Sequence, residues 1–253
     1  MKVIQELIDI MAALRAPDSG CPWDRQQTME SIIPYTLEEI YELVDAVERN
    51  NTEDIKDELG DLLFHIIFYS RMASESGSFD FADVVSGVCE KLKRRHPHVF
   101  AGQRADTVET VKNNWEKMKR EESGGDYLGN VAKALPAMLR AEKLQKRAAR
   151  VGFDWDEPAP VMAKLEEEVN ELKQGMAQGQ AHSHLQSELG DVFFAAVNLA
   201  RHLEINPETA LREANNKFEQ RFRFIQSTLE AEGEDLETAS MERMDELWER
   251  AKN

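Results

Sequence analysis

The sequence predicts an all-α protein made of two tandem helical-bundle domains. Three observations carry that reading. Apolar residues recur at helical spacing along nearly the whole chain, and no stretch sustains the two-residue alternation of a half-buried strand. A pair of acidic helix motifs in the first half also returns, in the same order and at nearly the same separation, in the second.

The elements follow in order. Val3, Ile4, Leu7, Ile8, Met11 and Leu14 mark an amphipathic helix that ends before Ala16-Pro17-Asp18-Ser19-Gly20. A loop, Gly20-Cys21-Pro22-Trp23-Asp24, leads to an acidic helix. Its start is signalled either near Thr28 or by Thr36 with Glu39 as a capping box, and Pro34 leaves the two starts open. Asn51 and Thr52 cap a second acidic helix that reaches about Ser76, before the Gly77-Ser78 break. Residues 81–95 form a further helix stopped by Pro97, and 108–121 another, with Trp115 and Lys119. The polar stretch from Ser123-Gly124-Gly125 to Gly129-Asn130 marks a boundary, giving domains 1–122 and 136–253 with a linker at 123–135. The order then restarts with a helix at 136–150, and Gly152-Phe153-Asp154-Trp155-Asp156 echoes the earlier loop. A second acidic pair follows, interrupted at 178–184, then a helix at 211–229 and a closing segment with Trp248 and Lys252.

The acids have a defined geometry on these helices. Glu38-Glu39-Ile40-Tyr41-Glu42 and Glu58-Leu59-Gly60-Asp61 return as Glu167-Glu168-Val169-Asn170-Glu171 and Glu188-Leu189-Gly190-Asp191. Residues three and four apart share a helix face, so each half offers two short acidic ledges. Like charges so placed cost about 0.2–0.5 kcal/mol per pair. A divalent cation between the ledges turns that repulsion into attraction, and hard oxygen ligands suit Mg2+ or Mn2+.

Against this stands the commoner case of a solvated acidic face. On the first acidic helix the acids lie opposite Leu37, Ile40, Leu43, Val44 and Val47, as a solvated face would. On the second, Glu58 and Asp61 flank the apolar stripe Ile55, Leu59, Leu62, Leu63 and Ile66, and Glu188 and Asp191 flank Leu185, Leu189, Val192 and Phe193. Carboxylates beside a buried stripe need partners. Gly60 and Gly190 each cost about 1 kcal/mol against Ala inside a helix, which suggests that space is needed there for a backbone or for ions.

Composition limits the function. The 253 residues carry 48 Asp and Glu against 31 Lys and Arg, a formal charge of -17. That balance argues against direct nucleic-acid binding and against an anionic membrane surface. No apolar run approaches the roughly 20 residues that span a bilayer, and Met1-Lys2-Val3-Ile4-Gln5-Glu6 turns charged too soon for a signal peptide. Cys21 and Cys89 are too few for a disulfide framework. The expected setting is a reducing cytoplasm.

Bases and aromatics complete the set. Lys91 and Arg95, one turn apart, recur as Lys217 and Arg221, and the spacing of Trp115 and Lys119 recurs as Trp248 and Lys252. Taken singly, such cations are ordinary helix C-terminal charges and such tryptophans core residues. Together with metal-binding acids they describe a site for a nucleoside polyphosphate, attacked in line by an activated water. His96 and His98, and His182 and His184, read as exposed loop histidines, and Trp23 and Trp155 as loop anchors packed on the helices. A di-iron bundle is disfavoured, because it uses Glu-x-x-His where both halves have Glu-x-x-Asp, and His65 has Ala195 as its counterpart. A noncatalytic helical interaction protein is the alternative.

The repeated Glu-Glu-x-x-Glu followed by Glu-x-x-Asp, the Gly-Cys-Pro-Trp-Asp loop and Arg94-Arg95-His96-Pro97-His98-Val99-Phe100 resemble the MazG family of nucleoside triphosphate pyrophosphohydrolases, in its two-domain bacterial form. The similarity covers essentially the whole chain. It implies an all-α NTP pyrophosphohydrolase fold, a homodimer, Mg2+ dependence and cleavage of NTP or dNTP to monophosphate and pyrophosphate, as nucleotide-pool or stress-related housekeeping. It further implies that Glu168, Glu171, Glu188 and Asp191 bind metal in the second half, and Glu39, Glu42, Glu58 and Asp61 in the first. Glu167 and Glu38 would orient or deprotonate the water. Lys217, Arg221, Trp248 and Lys252 would hold the nucleotide, joined by Lys164, with Lys91, Arg95, Trp115 and Lys119 in matching places. The first half departs in having Tyr35 where the second has Lys164, so turnover is expected in the second half.

Overall fold

The computed structural model describes residues 2–102, 107–111, 114–115, 118, 125–129 and 131–252. Among these residues there are helices and turns but no strand. The chain divides into two compact units, Met1–Met118 and Lys119–Asn253.

The first unit contains α1 (Lys2–Leu14), α2 (Pro22–Gln26), α3 (Met29–Glu48), α4 (Thr52–Glu75), α5 (Phe81–Arg95) and α6 (Pro97–Phe100). Residues 108–111, 114–115 and 118 are also helical. The loop expected around Trp23 thus contains one helical turn, and Pro97 begins a short helix as well as ending α5. Thr28, not Thr36, opens α3: its Oγ1 accepts from the Ser31 amide at 3.3 Å, and its own amide donates to Ser31 Oγ at 2.9 Å. Pro34 lies inside the helix. Fully buried Ile32, and Thr36 Oγ1 at 2.9 Å from the Tyr69 hydroxyl, anchor the segment on either side of it. Asn51 Oδ1 caps α4, and Asn50 makes the preceding turn with φ 53°. The core is Met11, Ile32, Ile67, Phe68 and Met72, with Leu7, Ile8, Leu63 and Phe81 around it.

This core corrects the expected orientation of the acidic helices. Leu37, Ile40 and Val47 on α3 are exposed, whereas Glu39 is half-buried. On α4, Leu59 and Ile66 are exposed, and the inward face is His65, Ile67, Phe68 and Met72. The larger residues in the second half of α4 decide the rotation, because they pack against α1. In the second unit Leu189 and Phe193 are likewise exposed. A Cβ built on Gly60 or Gly190 would meet nothing within 4 Å among the described residues outside its own helix turn, so no approaching backbone among them accounts for either glycine.

Arg15 ties α1 to the end of α4. Its side chain is 9% exposed and donates to both Glu75 oxygens, Nη2 at 2.6 Å. Arg15, with help from Arg71, holds the Glu75 carboxyl below its ordinary value near 4.5. A depressed carboxylate contributes stability above the unfolded value that is lost as pH falls through the folded one. Glu75→Gln is therefore expected to destabilise the first unit by about 1–2 kcal/mol at pH 7, with the gap closing below pH 4.5. Denaturation midpoints across that range test it, and a gap that persists in acid refutes it.

The second unit contains α7 (Ala137–Ala149), α8 (Pro158–Ala177), α9 (His182–His202), α10 (Pro207–Glu232) and α11 (Met241–Arg250). α8 and α9 pack together, joined by a short turn in which Gly179 takes φ 65°. α7 packs on α9, and α10 on α7, α9 and α11. A second cluster, Ile225, Leu229 and Leu247 with Met244 and Trp248, locks α10 to α11.

Candidate functional site

Each unit presents acids from two adjacent helices. In the second, α8 supplies Lys164, Glu167, Glu168 and Glu171, and α9 supplies Glu188 and Asp191. Glu168, Glu171 and Glu188 each offer an oxygen, and these three atoms lie within 4.8 Å of one another. Glu168 is buried and ion-paired at 2.8 Å to Lys164, which also reaches Glu167 at 3.0 Å. Those two carboxylates hold Lys164 protonated well above its ordinary range. Desolvation by its neighbours and the charge of Glu168 push Glu171 up. Asp191 lies outside the close triad and lines a neighbouring cavity.

The first unit repeats the pattern with Glu39, Glu58 and Asp61, whose oxygens also lie within 4.8 Å of one another. Glu39 is pushed up to about 7, by burial first and then by Asp61, Glu42 and Glu58. Burial and Glu42 raise Glu58 too. Glu42 and Glu38 are exposed, and Glu42 is outside the triad. Raised carboxyls across two helices signal negative charge that the described residues leave incompletely neutralised. An all-oxygen donor set of this kind fits a hard divalent cation.

Beside the second acidic triad lies a cavity of about 400 Å³, lined on one side by Lys164, Glu168 and Asp191. Its apolar walls come from α7, α8, α9 and the Trp155 loop. Sequence reasoning missed this cavity and its polar residues Gln145, Asn198, Arg201 and Asp154. Arg201 Nε donates to Asn198 Oδ1 at 3.0 Å and pairs with Asp154, while His202 Nε2 meets Asp154 at 3.0 Å. Burial pushes the Asp154 carboxyl up, but hydrogen bonds from Arg201 and His202 outweigh it and leave the group below its usual range.

The bases and tryptophans form repeated pairs. The Arg221 guanidinium lies 5.2 Å from the Trp248 ring centroid, and Arg95 lies 5.9 Å from that of Trp115. Trp248 also contacts Phe218 at 5.4 Å, so it is part of the α10–α11 packing. Lys252 pairs with Glu249, and Lys217 and Lys91 are exposed. Lys217, Arg221, Trp248 and Lys252 are not among the residues lining the cavity. Lys119 lies outside the described residues, as does part of the helix expected at 108–121.

Several smaller expectations are corrected. His182 and His184 open α9 instead of sitting in a loop, because the turn closes early at Gly179, and His184 Nε2 is 3.2 Å from Glu188. His96 is half-buried, with its ring edge-on to Trp115 at 4.9 Å. Trp23 and Trp155 are both exposed: Trp23 meets Tyr35 edge-on at 5.8 Å, and Trp155 lines the cavity.

The family model for the MazG nucleotide pyrophosphohydrolase domain matches residues 27–100 and 157–224. A nucleoside triphosphate pyrophosphohydrolase of Escherichia coli K12 is 45% identical over 257 residues, covering 100% of this chain and 98% of that protein. A Thermotoga maritima protein called nucleoside triphosphate pyrophosphohydrolase/pyrophosphatase MazG is 42% identical, covering 99% and 96%. The uncharacterized protein YabN of Bacillus subtilis is 41% identical over 96% of this chain and 50% of its own length.

Proposed function

The chain belongs to the MazG nucleotide pyrophosphohydrolase family and is a nucleoside triphosphate pyrophosphohydrolase; from that premise we propose that turnover runs on Mg2+ at the acidic centre of the second half. The observation that carries the choice is three converging carboxylates, with Lys164 already paired to one of them, Glu168, beside a cavity.

In this reading Glu168, Glu171, Glu188 and Asp191 would hold Mg2+, with Mn2+ as a substitute. When bound, the ion would neutralise triphosphate charge and supply an acidified water. Glu167, exposed beside Glu168, is placed to orient the attacking water and take its proton. Lys164 transfers its N–H donors from the two glutamates to a phosphate oxygen. Lys217, Arg221 and Lys252 grip the remaining oxygens, with the Trp248 ring aligning Arg221. Attack in line breaks the anhydride between the α and β phosphates, and monophosphate and pyrophosphate leave.

The first half, with Glu39, Glu42, Glu58, Asp61, Glu38, Lys91, Arg95, Trp115 and Lys119 in matching places, serves a structural or regulatory role, since Tyr35 replaces the phosphate-gripping lysine. We place the domains at 1–122 and 136–253, linked by 123–135. Exposed Leu37, Ile40, Leu59, Phe193, Phe218 and Phe222 support a homodimer, in which a second copy covers them. Nucleotide-pool housekeeping in the cytoplasm, without nucleic-acid binding, fits the charge of -17. Among the described residues no helix is long and apolar enough to cross a membrane.

Purified protein with Mg2+ is expected to release pyrophosphate and monophosphate from nucleoside triphosphates, and to be stabilised by the ion by about 2.7 kcal/mol at a hundred times its dissociation constant. Phosphorus NMR of the products and thermal melts check both. Orthophosphate as the product means that another bond is cut, and inactivity across a nucleotide panel favours the noncatalytic interaction protein.

A further inference from the structure

We propose that the cavity of the second half is the nucleobase pocket, and that Gln145 reads the base there, its side-chain oxygen accepting a hydrogen bond from an N–H on the base's pairing edge. The proposal rests on the pyrophosphohydrolase reading and adds a place for the base and a residue that recognises it.

Position is the first argument. Glu168 belongs to the acidic triad and, with its partner Lys164 and with Asp191, to the cavity wall, so a triphosphate held on the acids is placed with its nucleoside end towards the cavity. Size and lining are the second. About 400 Å³ falls within the range of about 300–1,000 Å³ for small-molecule sites. Leu144, Ala148, Phe153, Trp155, Val161 and Phe194 give it the apolar walls that an aromatic ring needs. Phe153 is 82% exposed, a large aromatic left in water at the edge of a cavity.

Gln145 supplies the third and most specific argument. It is 7% exposed and lines the cavity. Its Nε2 donates to the Phe194 carbonyl at 2.8 Å, which fixes the amide, because the flipped amide would set oxygen against oxygen. Oε1 is buried and has no hydrogen-bond partner among the described residues. A buried acceptor without a donor costs about 1–3 kcal/mol, and a small shift of the Gln145 side chain or of its neighbours on the cavity wall as the base enters would bring it the donor it lacks.

The repeat explains why the space exists in this half. Asn198 follows Asp191 at the distance at which Phe68 follows Asp61. Phe68 is fully buried in the first unit's core with Met11, Ile67 and Met72. Asn198, with its oxygen turned to Arg201, leaves the corresponding volume of the second unit unfilled by a ring.

The test is kcat/KM of the full chain with Mg2+ on matched substrates with and without the edge N–H. These are ATP against purine riboside triphosphate, and CTP against the pyrimidin-2-one riboside triphosphate. The wild type is expected to favour the member with the N–H by about tenfold or more. Gln145→Met, of similar length without an acceptor, should bring the ratio close to one while pyrophosphate release from the lesser substrate continues. Ala148→Leu narrows the cavity with the amide untouched, and should raise KM for every base while leaving the ratios in place. A wild-type ratio near one, an unchanged ratio in folded Gln145→Met, or an unchanged KM in Ala148→Leu overturns the proposal. In those cases pyrophosphate release by the wild type still stands. No release from any nucleotide removes the underlying hydrolase reading instead, and this inference with it.

Discussion

Glu171→Gln, and likewise Asp191→Asn, is expected to lower kcat for pyrophosphate release by about a hundredfold or more, with helicity by circular dichroism unchanged. Neither residue is needed to hold the chain together, because both are exposed and neither belongs to a core cluster. Glu171 stands among Glu168, Glu188 and Glu167, and its carboxyl is raised by desolvation from its neighbours first and then by their charge. Removing its charge relieves repulsion in the protein without metal, so melting temperature should hold or rise while activity collapses. Opposite movements of stability and rate distinguish a ligand for a cation from a structural residue. Asp61→Asn in the first half should leave turnover close to that of the wild type if the second half does the chemistry. Unaltered rates in both second-half variants would remove this centre from the mechanism.

Phe68→Ala should destabilise the first unit by about 3–5 kcal/mol. The ring is completely buried, packs with Met11, Ile32, Ile67 and Met72, and has Phe64 at 5.8 Å. On it also lies the Arg15 guanidinium, 5.4 Å from the centroid, which pairs with Glu75. Truncation therefore opens a void and takes away the surface on which a nearly buried cation rests. Denaturant unfolding should show the transition of the first unit at markedly lower denaturant, while that of the second unit keeps its midpoint. A loss below about 1 kcal/mol would mean that the surrounding residues collapse into the space.

The acids were legible in the sequence because spacing of three and four on a helix is a geometric statement, and its recurrence in both halves made it specific. The span of α5 was also legible, since its residues 81–95 keep a helical period and Pro97 follows it. The face that α3 turns inward was not. Its apolar stripe through Leu37 and Ile40 reads as core, but the large residues that decide the packing, Phe68 and Met72, lie on α4 and meet α1. α10 starts four residues before the expected helix at 211–229, because Asn206 caps it through the Thr209 amide at 3.0 Å and Pro207 begins it, ahead of the apolar period. The cavity left no periodic trace at all. A single buried amide such as Gln145 has no spacing of its own, and the one clue was a mismatch between the halves, Asn198 against Phe68.

The bare backbone at Gly60 and Gly190 has a practical consequence. Alanine at either position would meet nothing within 4 Å among the described residues beyond its own turn of helix, and would firm the helix by about 1 kcal/mol. Anyone engineering a heat-resistant variant would reach for these two sites early. Both lie one residue before an acid, Asp61 and Asp191, so each added methyl would project from the same turn as the chemistry. Hardening the scaffold and preserving its reach towards visitors are competing aims at that turn.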